Sequence, residues 1–418
     1  MNKYAIKASC IAFALVFSVQ LKAANELSIN RHSNELTIVE DAQLTWREVL
    51  QSAWSRSILV AQSQAEVAQG HAINAIGKRV FAEPPALEAS YLKDKNEGDR
   101  TKETEAALVL PLWQFGERSA YRQLGSLMTV TAEFSHQAAR LDVALAVVDA
   151  MHKLQSSLIK YKAQQSNTEL FSGLVRDVES RVKAGDLATT DLRLAEAAWA
   201  DAKLELLSAD HARHDAIIDW QRLTGLQTIP LQIYPTTDDE LVTTHPAIKA
   251  AISRIKQVEA ESLVARKAQY SPIEISLRVR QETSPDFVSD QQAIGVGFRL
   301  PIGKSARGSL VHAAAQQQVM IAEKTLDDTH RLIEAKRQKA LHEWQLQQAR
   351  VEVAEARRVA MEERTSLLKK AFTAGERELS ELLRAVHMLS EAQGISQQTR
   401  IDAELHRAHH LILNGFLP

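Results

Sequence analysis

The sequence predicts a mainly α-helical protein with a small β part, laid out as two copies of one helix-and-hairpin unit. Three observations predict it. The 418 residues include only 15 glycines and 10 prolines, against the ~7% and ~5% usual in globular chains, so turns are few and the segments between them long. Two runs of about 70 residues, Gly116 to Gly185 and Gly303 to Gly375, contain no proline, and at about 1.5 Å per residue each would make a helix of roughly 100 Å. The chain also aligns on itself at a shift of 190 residues, the step from Leu110 to Leu300, which marks an internal repeat. Length alone would suggest about two or three globular domains; the composition replaces that division with long packed helices.

Charge excludes some partners. Lys+Arg number 50 against 52 Asp+Glu, a net charge of -2, so no bulk electrostatic attraction favours nucleic acid or an anionic membrane surface. The signs are mixed along the chain, as on solvated helix faces. Aromatics are only 5% of the residues, which suits Ala-rich helices packed closely over long distances.

Taken in order, residues 1–24 read as a secretory signal: Lys3 and Lys7 precede an apolar run from Ala8 to Val19, and Ala23 and Ala24 follow. An N-terminal anchor is the alternative, but ~12 apolar residues are too few to span a bilayer. Cys10, the one cysteine, lies ahead of most of that run and is badly placed for lipid attachment. It should leave with the signal, so the mature chain has no disulfide, zinc-thiolate site or cysteine nucleophile. No later stretch has the roughly 18 apolar residues of a transmembrane helix.

Residues 25–225 form the first unit and 246–418 the second, joined by an irregular connection over 226–245 with Pro230 and Pro235, just ahead of Pro246. At the shift of 190, Leu110-Pro111-Leu112 falls on Leu300-Pro301-Ile302, Lys183-Ala184-Gly185-Asp186 on Thr373-Ala374-Gly375-Glu376, and Asp191-Leu192 on Glu381-Leu382. Each unit reads helix, strand pair, very long helix, sharp turn, shorter helix. In the second, Ile273, Ile275, Leu277 and Val279 alternate with Glu274, Ser276, Arg278 and Arg280, and Ile294, Val296, Phe298 and Leu300 with Gly295, Gly297 and Arg299. Period-two alternation marks strands with one dry and one wet face. The first unit is noisier: Leu87, Ala89 and Tyr91 alternate with Glu88 and Ser90, a polar loop runs from Lys93 to Glu105, and Leu108, Leu110 and Leu112 follow. In the long helices, Leu141, Ala144, Val148 and Met151 keep three-four spacing and Val319, Leu326, Ile333 and Ala340 recur every seven. That is coiled-coil-like packing, although an ordinary amphipathic bundle helix explains the stripe equally well.

Strands of ~10 residues can cross an outer membrane, but four cannot close a barrel, because known single-chain barrels start at about eight and open edges in lipid leave backbone groups unpaired. Several copies would have to share one barrel, three giving twelve strands and four giving sixteen. Ile, Leu, Val and Phe would then face lipid, with Glu274, Arg278, Arg280 and Arg299 facing a water-filled lumen. The alternative is a pair of hairpins packed on a soluble domain.

The doubled layout, "LPLWQFGERSAY" and "LPIGKSARGSL" after the strands, "RVKAGDLATTDLRLAEA" and "AFTAGERELSELLRAV" at the turns, and "LTGL" followed by "HPAIKA" at the join together resemble the TolC-type outer-membrane efflux proteins over essentially the whole mature chain. The resemblance implies a homotrimer: a twelve-stranded barrel in outer-membrane lipid, four strands per chain, continued by a long α-helical barrel through the periplasm. It also implies a passive exit duct, working with a periplasmic adaptor (membrane fusion protein) and an inner-membrane pump. Overall length, compact tips and a short C-terminus look most like the CzcC-like heavy-metal branch served by proton-driven pumps. Drugs or secreted protein are alternative cargoes for the same duct.

By that resemblance the glycine turns are periplasmic tips. Ala184, Gly185, Asp186 and Leu187, with Ala374, Gly375, Glu376 and Arg377, become candidate adaptor contacts; a plain helix cap is the alternative and both can hold. Asp191 and Glu381, six residues after each glycine, match the position of an acidic constriction in some members, where a carboxylate ring would filter cations. Arg384 stands where a second acid can occur, and it could instead pair with Glu381 and hold a closed aperture. An ordinary solvated helix face is the competing reading.

Other signals are weaker. His406, His409 and His410, and His211 with His214, could hold a metal, but spacing fixes no third ligand beside either group, so no metal site or cofactor is assigned. Asp186 and Asp191 are not a catalytic pair, no Ser/His/Asp arrangement stands out, and residues 305–308 lack the glycines of a phosphate loop; the sequence does not read as an enzyme. A soluble periplasmic coiled-coil adaptor or scaffold is the reading from another class, but it has no reason to double 190 residues with two strand pairs.

Overall fold

A computed structural model of the chain describes residues 38–93, 101–231, 234, 244–283 and 290–416. The predicted signal 1–24, with Cys10, and Pro235 of the join lie outside these residues. In chain order the elements are β1 (Val39–Asp41), α1 (Trp46–Arg56), α2 (Ile58–Ile76), β2 (Ala86–Lys93), β3 (Lys102–Leu112), α3 (Glu117–Ala184), α4 (Thr189–Thr224), β4 (Thr228–Pro230), α5 (Pro246–Lys267), β5 (Ile273–Thr283), β6 (Gln291–Arg299), α6 (Ala306–Thr373) and α7 (Leu379–Leu413). The fold is mainly α with a small sheet, as the composition requires.

The two proline-free runs are single helices of 68 residues each, α3 and α6. Gly116 and Gly185 flank α3 in the left-handed region, at φ 80° and 85°. Ser305 opens α6, its Oγ accepting from the Gly308 N–H at 2.9 Å. The helices form a layer. Beside the sheet α3 lies between α2 and α5, and α5 packs on α6; farther along, α4 and α7 take over, with α3 against both and α7 against α6. The α2/α3 crossing is made close by glycine: a Cβ on Gly125 would stand 2.5 Å from the Asn74 nitrogen and 2.7 Å from the Gly70 carbonyl oxygen.

Three apolar cores lie along this layer. Next to the sheet Leu124, Met128 and Ala260 pack together. At mid-length Leu141, Ala144, Val148, Met151 and Leu154 of α3, all buried, meet Trp46, Leu50 and Trp54 of α1, Trp220 of α4 and Ile412 of α7. At the far end Phe171 and Val178 of α3 meet Ala195 and Ala202 of α4, Phe372 of α6, and Leu379 and Leu382 of α7. On α6 the sevenfold seam holds: Val319 and Leu326 are half-buried, and Ile333, Ala340, Gln347 and Ala354 are buried.

Two local readings change. The join contains β4, which pairs in parallel with β1, Val39 opposite Thr228 and Asp41 opposite Pro230; three residues are too few to show alternation. The polar segment read as a loop to Glu105 enters a strand at Lys102, because pairing with β2 and β5 on both sides carries its alternating Glu103 and Glu105 into the ladder.

Candidate functional site

Both strand pairs belong to one antiparallel sheet in the order β2-β3-β5-β6. The register decides its faces. Leu87, Leu108, Leu277 and Val296 stand opposite one another in turn, and Ile275 opposes Leu110 and Phe298, so one face is apolar across all four strands. It is also bare: Leu87 is 79% exposed, Ile294 86% and Val296 75%. The outer edges of β2 and β6 have no strand partner among the described residues.

The opposite face is charged and internally paired. Arg278 Nη1 reaches Glu105 Oε1 at 3.4 Å, Arg280 contacts Glu103 at 2.8 Å and Glu282 at 2.9 Å, and Arg299 contacts Glu274 at 3.2 Å. The four residues assigned to the wet face, Glu274, Arg278, Arg280 and Arg299, therefore lie together on it. Glu103 and Glu105 are the partners that the sequence reading left in a loop. These exposed pairs contribute little stability individually; Arg278 and Arg280 reach Glu105 and Glu103 over the cross-strand diagonal, and Arg299 reaches Glu274 directly opposite it. Gly295, opposite Arg278, and Gly297 keep that face low.

At the other end of the molecule the two turns are built alike. The Gly185 N–H donates to the Val182 carbonyl at 3.1 Å and the Asp186 N–H to that of Arg181 at 2.9 Å; 190 residues on, Gly375 donates to Phe372 at 3.1 Å and Glu376 to Ala371 at 2.9 Å. Gly185 and Gly375 hold φ of 85° and 76°, conformations open to glycine at little cost and used to end helices. Ala184, Gly185, Asp186, Ala374, Gly375, Glu376 and Arg377 are exposed and Leu187 is half-buried. Arg181 joins the turns: its guanidinium donates to the Phe372 and Thr373 carbonyls at 3.4 and 3.1 Å and lies 5.0 Å from the Phe372 ring. It thus gives the Thr373 carbonyl at the end of α6 a donor, and the Phe372 carbonyl one in addition to the Gly375 N–H. A lone arginine in a helical run gives no sequence signal for such a contact.

A cavity of about 550 Å³ between the tips is lined by Leu187, Asp191, Phe372, Gly375, Glu376 and Arg377, among others. Asp191 also accepts from the Ala188 N–H at 3.2 Å and closes the start of α4. The pairing expected between Arg384 and Glu381 is not formed. Glu381 pairs instead with Arg377 at 3.4 Å, four residues earlier and just ahead of the first residue of α7. Arg384 shares a groove of about 890 Å³ between α6 and α7 with Arg364, Arg377, Glu363 and Glu381, and no acid among the described residues pairs with it.

The histidines have other partners. His409 Nε2 is 2.7 Å from Asp149 and His152 Nε2 is 2.7 Å from Asp402, His410 stacks on Trp344, and His211 lies 3.6 Å from Asp215. Among the described residues no helix is long and apolar enough to cross a membrane.

No family model matches the chain, and no curated protein matches it. Solved structures do. The Campylobacter jejuni CmeC outer membrane channel superposes with a TM-score of 0.70 at 15% identity over 88% of this chain and 85% of its own. The outer membrane protein VceC of Vibrio cholerae gives 0.71 at 16% identity over 88% and 96%, and the open state of the Neisseria gonorrhoeae MtrE outer membrane channel 0.61 at 15% over 88% of each. At these identities the likeness is one of fold, and the fold is the TolC-like one.

Proposed function

We propose that the chain is the outer-membrane subunit of a tripartite efflux system, a passive duct and not an enzyme. The observation that carries this reading is the sheet. Its apolar face is bare across four strands, its other face is charged, and both edges are open. In water that arrangement exposes apolar surface and unpaired backbone; in a membrane the edges must be closed by other copies. Three copies give twelve strands, with the apolar face toward lipid and the Arg-Glu face toward water. A soluble hairpin domain would cover the apolar face, and nothing among the described residues does so. The CmeC, VceC and MtrE structures, described as outer membrane proteins or channels, support the same placement.

In this reading the α-helical layer extends through the periplasm. The exposed turns at Gly185 and Gly375 receive a periplasmic adaptor joined to an inner-membrane pump, and Asp191, Glu381 and Arg384 line the aperture beside them. The cargo is set by the pump: the sequence resemblance favours heavy-metal cations and a proton-driven pump, and drugs or protein would use the same duct. Fractionation tests the placement. An outer-membrane trimer that requires detergent is expected, whereas recovery in the soluble periplasmic fraction would refute the channel and favour the adaptor or scaffold.

A further inference from the structure

The apolar face of the sheet is too short for the membrane it would occupy. On β3 the stripe runs from Ala106 to Leu112, and on β5 from Ile273 to Val279, six steps of about 3.3 Å, or ~20 Å along the strand. A tilt of ~40° reduces this to about 15 Å of height, while the apolar band of an outer-membrane barrel is about 25 Å tall. Its far end is marked by polar groups on the same face, Lys93 opposite Lys102 and Gln281 opposite Gln292. Apart from Tyr91, which carries the face one pair beyond Ala106, the described residues extend it toward the helices.

On that side the exposed apolar residues continue past the last strand hydrogen bonds. Ile294, Val296 and Phe298 alternate within β6, and Leu300 and Ile302 keep the alternation beyond it; Ile302 is 97% exposed. After β3 comes Phe115, 95% exposed, and ahead of β2 comes Val80, 73% exposed. Phe115 is held at this joint by its own carbonyl, which accepts from Lys267 Nζ at 2.9 Å. Trp113 beside it is anchored through an indole N–H donated to the Arg79 carbonyl at 3.1 Å. Lys78, Arg79 and Lys304 stand within two residues of Val80 or Ile302, where long basic side chains can reach lipid phosphates.

We infer that the strand-to-helix joint is itself a lipid-binding collar. Val80, Phe115, Leu300 and Ile302 enter the boundary between acyl chains and headgroups of the periplasmic leaflet, completing the apolar band that the strands leave short. The inference rests on the channel reading, and one experiment separates the two. In a Cys10→Ser background, Val296→Cys, Phe115→Cys, Ile302→Cys and Val353→Cys are each labelled with an environment-sensitive fluorophore. The protein is reconstituted in phosphatidylethanolamine/phosphatidylglycerol vesicles carrying spin labels at a shallow or a deep acyl position. Val296 should be quenched from both depths and Val353, an exposed site on α6, from neither. Phe115 and Ile302 should be quenched about twofold or more strongly by the shallow label than by the deep one. If Val296 is quenched while Phe115 and Ile302 behave like Val353, the joint is solvated or covered by a neighbouring copy and the collar is refuted. If Val296 is not quenched either, the channel reading falls with it.

Discussion

Two glycines on the same helix should respond oppositely to the same substitution. In Gly125→Ala the new methyl would stand 2.5 Å from the Asn74 nitrogen, 2.7 Å from the Gly70 oxygen and 2.8 Å from the Asn74 Cα. Ordinary contact needs about 1 Å more, and because all three atoms are backbone, no side chain can rotate away. The α2 and α3 axes must separate, and such overpacking costs ~1–3 kcal/mol. Alanine returns ~1 kcal/mol through helix propensity, leaving a net loss of about 0–2 kcal/mol. Gly173 also lies within α3, and a Cβ there meets nothing within 4 Å beyond its own stretch of helix. Gly173→Ala should therefore keep only the propensity gain, about 0.5–1 kcal/mol. Unfolding of the purified protein in detergent, followed by far-UV circular dichroism, gives both midpoints. A Gly125→Ala midpoint at or above that of Gly173→Ala would refute the close-approach argument.

The remaining predictions concern the tips, the aperture and the join. Gly185→Trp or Gly375→Trp should impair pump-dependent export while trimers still assemble; normal export would remove these turns from the adaptor contact. Replacing Asp191 with Asn and Glu381 with Gln together should weaken block by multivalent cations in planar-bilayer conductance, and unaltered block would exclude a carboxylate filter. His245 is buried with its Nδ1 accepting from the Ala247 N–H at 3.2 Å, and burial first, then Arg337 and Lys336, hold its pKa down at about 4 from an ordinary 6.5. The unfolded chain then binds the proton first as pH falls, so this residue makes stability decline from pH 6.5 toward pH 4. His245→Asn, which keeps an acceptor without titrating in that range, should flatten the decline; an unchanged slope would place its origin elsewhere.

Much of this architecture is legible in the residues because its signals are long or strictly periodic. Proline-free runs mark α3 and α6, and Ile273 to Val279 display their faces by alternation alone. Contacts decided by a distant partner leave no such trace. Glu103 and Glu105 look like loop acids until β2 and β5 flank them, and Arg181 is one basic residue in a helix until the end of α6 comes within reach. Glu381 had two arginines at helical spacing, Arg377 and Arg384, and only side-chain placement decides between them. The Val39 to Asp41 strand exists because β4 pairs with it, not through any pattern of its own.

The buried seam of α6 keeps intervals of seven through Ile333, Ala340, Gln347 and Ala354, then steps eleven residues to Thr365 before resuming seven at Phe372. Sevens wind neighbouring helices left-handedly about each other, and an eleven-residue interval winds the other way. The seam of α6 therefore follows a left-handed course from Ile333 to Ala354, unwinds across the single step to Thr365, and returns to sevens before Gly375. One longer step thus takes up the drift that an unbroken run of sevens would build up between a straight helix and its neighbours.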